Sequence, residues 1–202
     1  MTAVFRQFRP AITSMVIMTV LVGIIYPLVI TGIGQVVFPF QANGSLLKSA
    51  NGTVIGSALI GQEFTKPQYF HPRPSATVST SPTPVPAPYN AANSGASNLA
   101  PTNKTLVQTV QQRADAYRQE NNLPANAPVP VDAVTTSASG LDPDISPANA
   151  ALQAPRVAQA RGLPLAAVQA LVAKCTTGRT FGILGEPRVN VLLLNQALDA
   201  AK

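Results

Sequence analysis

Hydrophobic residues crowd the start of this chain. Ile12 to Val37 runs ITSMVIMTVLVGIIYPLVITGIGQVV, and no charged side chain lies between Arg9 and Lys48. About 20 helical residues cross the hydrocarbon core of a bilayer, so the stretch predicts one transmembrane helix with some tilt. In lipid its backbone satisfies itself only as a helix. Pro27 removes one internal hydrogen bond and predicts a kink near Tyr26. Gly23, Gly32 and Gly34 leave flat surface for close approach of another helix. Phe38 and Phe40 suit the outer interface, with Pro39 ending the helix. The apolar core exceeds that of a cleaved signal peptide, and Phe38-Pro39-Phe40-Gln41 is a poor cleavage context, so a retained anchor is expected.

Beyond the anchor the periodicity changes repeatedly. Residues 53–64, TVIGSALIGQEF, carry β-branched and apolar residues between glycines and predict a strand or hairpin. Residues 71–88, HPRPSATVSTSPTPVPAP, carry six prolines and predict an extended, solvated loop. Thr102 or Asn103 caps a helix over about 104–121, with Leu106, Val110, Ala114 and Tyr117 on one face. Gln111, Arg113, Asp115 and Arg118 are expected to face water. Residues 135–145 form a polar turn region. Ser146-Pro147 starts a helix that Gly162 ends, and Pro155 within it predicts a kink or a split. A further helix runs from Pro164 to Lys174, burying Val168, Leu171 and Val172. Residues 180–184 and 188–193 read as strands, and 195–201 as a short last helix. The fold class is a single N-terminal transmembrane helix plus a small α+β extracytoplasmic domain.

Charge sets the orientation. Arg6, Arg9 and the terminal amine flank one side of the apolar stretch, against Lys48 on the other, so the N-terminus stays in the cytoplasm. The expected division is 1–11 cytoplasmic, 12–37 transmembrane and 38–202 extracytoplasmic, with the proline-rich loop at 71–88. Charged residues make up only 11% of the chain, against about 25% in soluble proteins, so the outer core rests on Leu, Val, Ile and Ala. The net charge of +6 comes from scattered single residues without a basic run or interleaved aromatics, which argues against nucleic acid.

Candidate chemistry is thin. The lone Cys175 excludes an intramolecular disulfide and reads as a small apolar helix residue. The lone His71 would have to serve any Ser-His or Cys-His mechanism, but it reads as an exposed loop residue. One His and one Cys make a dedicated zinc or copper site implausible. Ser45-Leu46-Leu47-Lys48 fits Ser-x-x-Lys without its companion motifs, close to the membrane. No phosphate-binding loop, dinucleotide fingerprint or nucleophile elbow occurs. Asp142 and Asp144 could attract a cation, although acids flanking a proline more often form turns and helix starts. Gly185 to Asn190 reads as a tight turn between strands. No catalytic, cofactor-binding or metal residue is assigned.

The chain nevertheless resembles the C subunits of the Kdp-type high-affinity potassium-transporting P-type ATPases. The resemblance begins with the basic N-terminus and the single helix carrying Tyr26-Pro27. It continues through Gly56-Ser57-x-Leu59-Ile60-Gly61-Gln62-x-Phe64 and Tyr69-Phe70-x-x-Arg73-Pro74-Ser75-Ala76. It then includes Ser97-Asn98-Leu99-x-Pro101-Thr102-Asn103, Ser139-Gly140-Leu141-Asp142, Gln153-x-Pro155-Arg156-Val157-Ala158 and Gly185-Glu186-Pro187-x-Val189-Asn190-Val191. Residues 79–88 are longer and richer in proline than the corresponding link in such proteins. The resemblance implies a non-catalytic subunit needed for assembly, one that raises the ATP affinity of its ATPase partner. It implies three partners besides the membrane: a channel-like potassium-binding subunit, a P-type ATPase subunit and a small membrane subunit. ATP and potassium are handled by the complex, and no cofactor is implied for this chain. Two other classes compete: an anchored hydrolase dependent on His71, and a membrane-anchored extracytoplasmic binding module.

Overall fold

The computed structural model describes residues 2–49 and 51–201 and divides into two compact units, Met1–Ile55 and Gly56–Lys202. The first unit is dominated by one long helical run. Helix α1 (Thr2–Val20) passes through a π-helical turn (Leu21–Ile25) into α2 (Tyr26–Val37). Helical geometry thus begins well before the apolar stretch at Ile12. The stretch Arg6–Val37 is long and apolar enough to cross a membrane, and none of its apolar window is buried by the rest of the chain.

The expected disturbance around Pro27 takes the form of the π turn. Pro27 cannot donate to the carbonyl one turn back, and its ring crowds that carbonyl. The widened preceding turn absorbs the misfit, with the Tyr26 amide donating to the Leu21 carbonyl. Pro39 stops the run as expected, but it also opens a further helical turn, α3 (Pro39–Ala42). The chain then forms a two-stranded hairpin from β1 (Leu46–Lys48) and β2 (Val54–Ser57). The predicted strand over 53–64 therefore ends at Ser57, and its partner lies upstream of that segment.

The second unit packs helices on a small antiparallel sheet. Its elements are α4 (Lys104–Glu120), α5 (Val131–Val134), β3 (Asp144–Ile145), α6 (Pro147–Arg161), α7 (Leu165–Cys175), β4 (Thr176–Thr177), β5 (Arg188–Asn190) and α8 (Val191–Ala200). The strand order is β3-β5-β4, with Ile145 opposite Val189 and Thr176 opposite Val189. Phe70, Val157, Val168, Val189, Leu194 and Leu198 are fully enclosed at the centre of the core. Helices α7 and α8 are too short to span a bilayer, and their apolar faces point into this core.

Caps fix the helix starts. Asn103 accepts from the Thr105 amide to open α4, and Ser146 accepts from the Asn149 amide to open α6. Gly162, in the left-handed conformation, closes α6. Asp132 reinforces the start of α6. Its carboxylate accepts from the Ser146 amide at 2.7 Å, the Ser146 hydroxyl at 2.9 Å and the Asn149 side-chain amide at 3.0 Å. A negative charge at that end also suits the helix dipole.

Several sequence expectations require correction. Pro155 does not split α6, which is one continuous helix. Pro155 and Ala151 both lie on its exposed side, so water can serve the carbonyl that the proline leaves without a donor. Residues 180–184 form a tight turn closed by a single bridge between Thr180 and Leu184, not a strand. Their alternating apolar pattern lacks a neighbouring strand to pair with. Strand β5 stops at Asn190, whose side chain accepts from the Leu193 amide and starts α8 there. Arg113 and Arg118 are half-buried rather than solvated, and donate to the carbonyls of Val134 and Ala127. Leu106 and Val110 are half-buried, and Ala114 and Tyr117 buried, on the face expected.

The 71–88 segment is only partly solvated. Residues 80–86 are exposed, but the legs are tied to the domain. The Ser75 hydroxyl donates to the Gly140 carbonyl at 2.7 Å, the Thr77 hydroxyl to the Ala87 carbonyl at 2.6 Å and the Tyr89 hydroxyl to the Arg73 carbonyl at 2.6 Å. Proline removes amide donors, so side-chain hydroxyls and the remaining amides supply the pairing.

Gly140 sits at the centre of this lacing with φ +68°, and a Cβ there would lie 2.7 Å from the Gly95 carbonyl oxygen and 2.6 Å from Thr77 Cγ2. Gly162 has a similar φ of +65°, but a Cβ there meets nothing within 4 Å. Gly140→Ala should therefore cost about 2–3 kcal/mol of stability and Gly162→Ala only about 1 kcal/mol. Thermal unfolding of the full-length variants in detergent tests this ordering, and equal losses would contradict it.

Candidate functional site

The strongest polar constellation in the second unit surrounds Arg156. Helix α6 places Arg156, Gln153 and Asn149 toward the interior, beside Ala150, Ala154 and Val157. The Arg156 side chain is only 6% exposed. Its Nε donates to Asn121 Oδ1 at 3.0 Å, and one terminal nitrogen to the carbonyls of Pro67 at 2.7 Å and Tyr69 at 3.0 Å. The other terminal nitrogen donates to Gln153 Oε1 at 2.8 Å. Glu120 Oε1 lies 3.7 Å from Arg156 Nε. Burial depresses the guanidinium pKa, and the nearby Glu120 carboxylate opposes that shift. The hydrogen bonds stabilise the buried charge.

Two side-chain amides hold the adjoining backbone. Gln153 accepts from the His71 amide at 2.7 Å and donates to the His71 carbonyl at 3.0 Å. Asn195 of α8 accepts from the Phe70 amide at 2.9 Å and donates to its carbonyl at 3.0 Å. Each amide pairs with one residue's two backbone groups, as a neighbouring strand would. Arg161 extends the clamp by donating to the Gln68 carbonyl at 2.7 Å and to Asp199 Oδ1 at 2.7 Å. Its guanidinium also lies 4.9 Å from the centre of the Tyr69 ring. Segment 67–71 is thus strapped to α6 and α8 by polar side chains, with Phe70 plugged into the core.

A cavity of about 350 Å³ opens beside the strap, with Glu63, His71, Arg73, Tyr89, Arg113 and Glu120 on its walls. His71 is not the exposed loop residue the sequence implied, because its ring is 20% exposed and sits between two oxygens. Nδ1 is 2.6 Å from Glu120 Oε1, and Nε2 is 3.0 Å from the Lys66 carbonyl. The hydrogen bond from His71 is the main reason the Glu120 carboxyl falls below its ordinary value, against a smaller opposing effect of burial. Burial pushes the Tyr89 and Tyr117 phenols upward. The two phenols donate to the Arg73 carbonyl and to Asn149, respectively.

The other sequence candidates lie apart from this cavity or are bound within the architecture. Asp142 accepts from Arg73 at 2.8 Å and from the Asp144 amide at 3.0 Å. Asp144 pairs with Arg188 Nε at 3.2 Å. Burial and the adjacent Asp142 raise the Asp144 carboxyl, partly opposed by Arg188. Each aspartate is therefore engaged by an arginine, and among the described residues no group of three or more His, Cys, Asp or Glu could hold a metal ion. Cys175 is half-buried at the end of α7, where burial raises its thiol. Ser45 is buried in a turn at φ 51° and Lys48 ends strand β1, so Ser-x-x-Lys does not share a helix turn.

Sequence reasoning missed Arg156, Gln153 and Glu120. An arginine in a helix ordinarily reads as surface. The available signal was its place on the side of α6 that carries Ala150, Ala154 and Val157. The geometry performs clamping and charge neutralisation, and the His71 ring is engaged by the Glu120 carboxylate and the Lys66 carbonyl.

The family described as "KdpC: K+-transporting ATPase, c chain" matches residues 8–200. This chain belongs to the KdpC family. The potassium-transporting ATPase KdpC subunit of Bradyrhizobium diazoefficiens is 56% identical over 200 residues, covering 97% of this chain and 98% of that protein. The KdpC subunits of Caulobacter sp. (strain K31) and Mycobacterium tuberculosis (strain CDC 1551 / Oshkosh) are each 55% identical over 194 residues. Those alignments cover 96% of this chain, with 93% of the Caulobacter protein and 98% of the Mycobacterium protein. As a KdpC family member, the chain is a non-catalytic accessory subunit of the Kdp potassium ATPase complex, anchored by its single N-terminal helix with the N-terminus cytoplasmic.

Arg156→Met keeps the side chain's length but strands the Pro67, Tyr69 and Asn121 acceptors. It should cost about 3 kcal/mol or more, whereas Arg179→Met at the exposed Arg179–Glu186 pair should cost less than about 1 kcal/mol. Chemical unfolding of full-length protein in detergent measures both, and a mild Arg156 effect would refute the clamp.

Glu120 supplies a pH test. Its depressed folded-state value means that its stabilisation is present above the ordinary carboxylate value of 4.5 and is lost as pH falls through the lower folded value. The wild type should therefore melt higher than Glu120→Gln at about pH 7, and the gap should close toward about pH 3. A gap that widened on acidification would reverse the assigned sign.

Proposed function

We propose that this subunit joins a channel-like potassium-binding subunit, a P-type ATPase subunit and a small membrane subunit into one working pump. Residues 1–11 lie in the cytoplasm, 12–37 cross the bilayer and 38–202 stand outside, including the proline-rich loop 71–88. The supporting observation is the near-full-length KdpC match combined with a single uncovered apolar helix. A helix of this kind, carrying Gly23, Gly32 and Gly34, offers packing surface to neighbouring membrane helices.

An effect on ATP affinity is then indirect. ATP binds in the cytoplasm, whereas the folded domain lies on the other side of the bilayer. Packing of the anchor and outer domain biases the ATPase subunit toward its nucleotide-binding conformation, and reciprocity requires ATP to tighten that packing. Asp142 and Asp144 act structurally in this reading, because both are held by arginines.

The test is affinity isolation of the tagged full-length chain from native membranes, followed by potassium-stimulated ATPase assay with and without it. Co-elution of the three partners, with activity lost and apparent ATP affinity lowered in its absence, is expected. A pump that remains assembled and fully active without this chain would defeat the proposal.

A further inference from the structure

Between β4 and β5 the chain forms a finger, residues 178–187, that stands clear of the domain. A Cβ built at Gly178, Gly182 or Gly185 meets nothing within 4 Å. At the tip Phe181 is 88% exposed, Ile183 75% and Leu184 56%. Three large apolar side chains are thus exposed within four consecutive positions, the kind of contiguous patch that marks an interaction site.

The finger has defined internal geometry. Thr180 and Leu184 exchange both backbone hydrogen bonds, each at 2.9 Å, and the Gly182 amide donates to the Arg179 carbonyl at 3.0 Å. Arg179 grips both carboxylate oxygens of Glu186 at 2.7 Å across the base. Phe181 itself adopts φ 54°, a region that disfavours bulky residues. The fold thus holds a strained phenylalanine outward rather than letting the turn collapse.

We infer that this finger is the anchor by which the outer domain docks into an apolar pocket on the extracytoplasmic face of another subunit of the same pump. The inference rests on the subunit reading above and adds a place of contact. Charge favours a protein over a lipid surface. The finger carries one arginine and one glutamate, which neutralise each other, and Arg188 at its foot is paired with Asp144. A loop that dips into an anionic leaflet needs unpaired basic side chains around its apolar tip. A pre-ordered aromatic with neighbouring aliphatics instead matches the anchor residues at the centre of protein interfaces, where little ordering entropy is lost on binding.

The test places the photoreactive residue p-benzoylphenylalanine at position 181 of the full-length chain in native membranes. Irradiation should give a covalent adduct mapped by mass spectrometry to an extracytoplasmic segment of another pump subunit. In parallel, Phe181→Ser combined with Leu184→Ser should reduce retention of the partner subunits in detergent by about tenfold or more. Thermal unfolding of this variant should remain at the wild-type value, because both side chains are unburied. An adduct with lipid only, no adduct, or unchanged retention would overturn the inference while wild-type co-purification still upheld the subunit reading. Failure of the wild type to co-purify would overturn both.

Discussion

A buried guanidinium organises the outer domain. Arg156 is almost wholly enclosed, so its neighbours must supply most of the acceptors for its charge. They come from three directions: the Pro67 and Tyr69 carbonyls, Asn121 at the end of α4, and Gln153 one turn away on its own helix. Removing the charge or shifting any of these elements leaves buried polar groups unmatched. The strap 67–71, α4 and α6 are consequently fixed relative to one another by one side chain.

From that centre the polar network continues without an apolar break. Gln153 donates to Asn149, Asn149 receives the Tyr117 hydroxyl, and Asp132 accepts from both Asn149 and the Ser146 cap. The network runs beside the hydrophobic core and gives specificity that a core of Val, Leu and Ala would not supply alone. Small aliphatic side chains tolerate repacking, whereas directional hydrogen bonds admit few alternatives.

This consumption of polar groups bears on function. The sole histidine braces Glu120 and the Lys66 carbonyl, and the paired aspartates neutralise arginines. Charged residues amount to only 11% of the sequence, and many of them serve the scaffold. An accessory subunit needs a rigid shape to offer its partners rather than a reactive centre. Rigidity around the strap contrasts with the apolar groups left uncovered along the membrane helix and at the tip of the 178–187 finger.

The anchor was legible in the sequence because its cause is local: a charge-free run long enough for the bilayer has one backbone solution. The same holds for the caps at Asn103, Ser146 and Gly162, each a short-range hydrogen bond or dihedral requirement. Family membership was legible too, since it lies in the order and spacing of residues. Only tertiary structure decided the fate of segments whose partners are distant. The strap depends on Arg156, Gln153 and Asn195, far along the chain, and His71 meets Glu120 only when α4 packs beside it. The apolar alternation of 180–184 suggested a strand but found no strand to pair with, so its side chains point outward. Local rules determine which backbone shapes are cheap, while burial and long-range hydrogen bonding determine which of them the folded protein keeps.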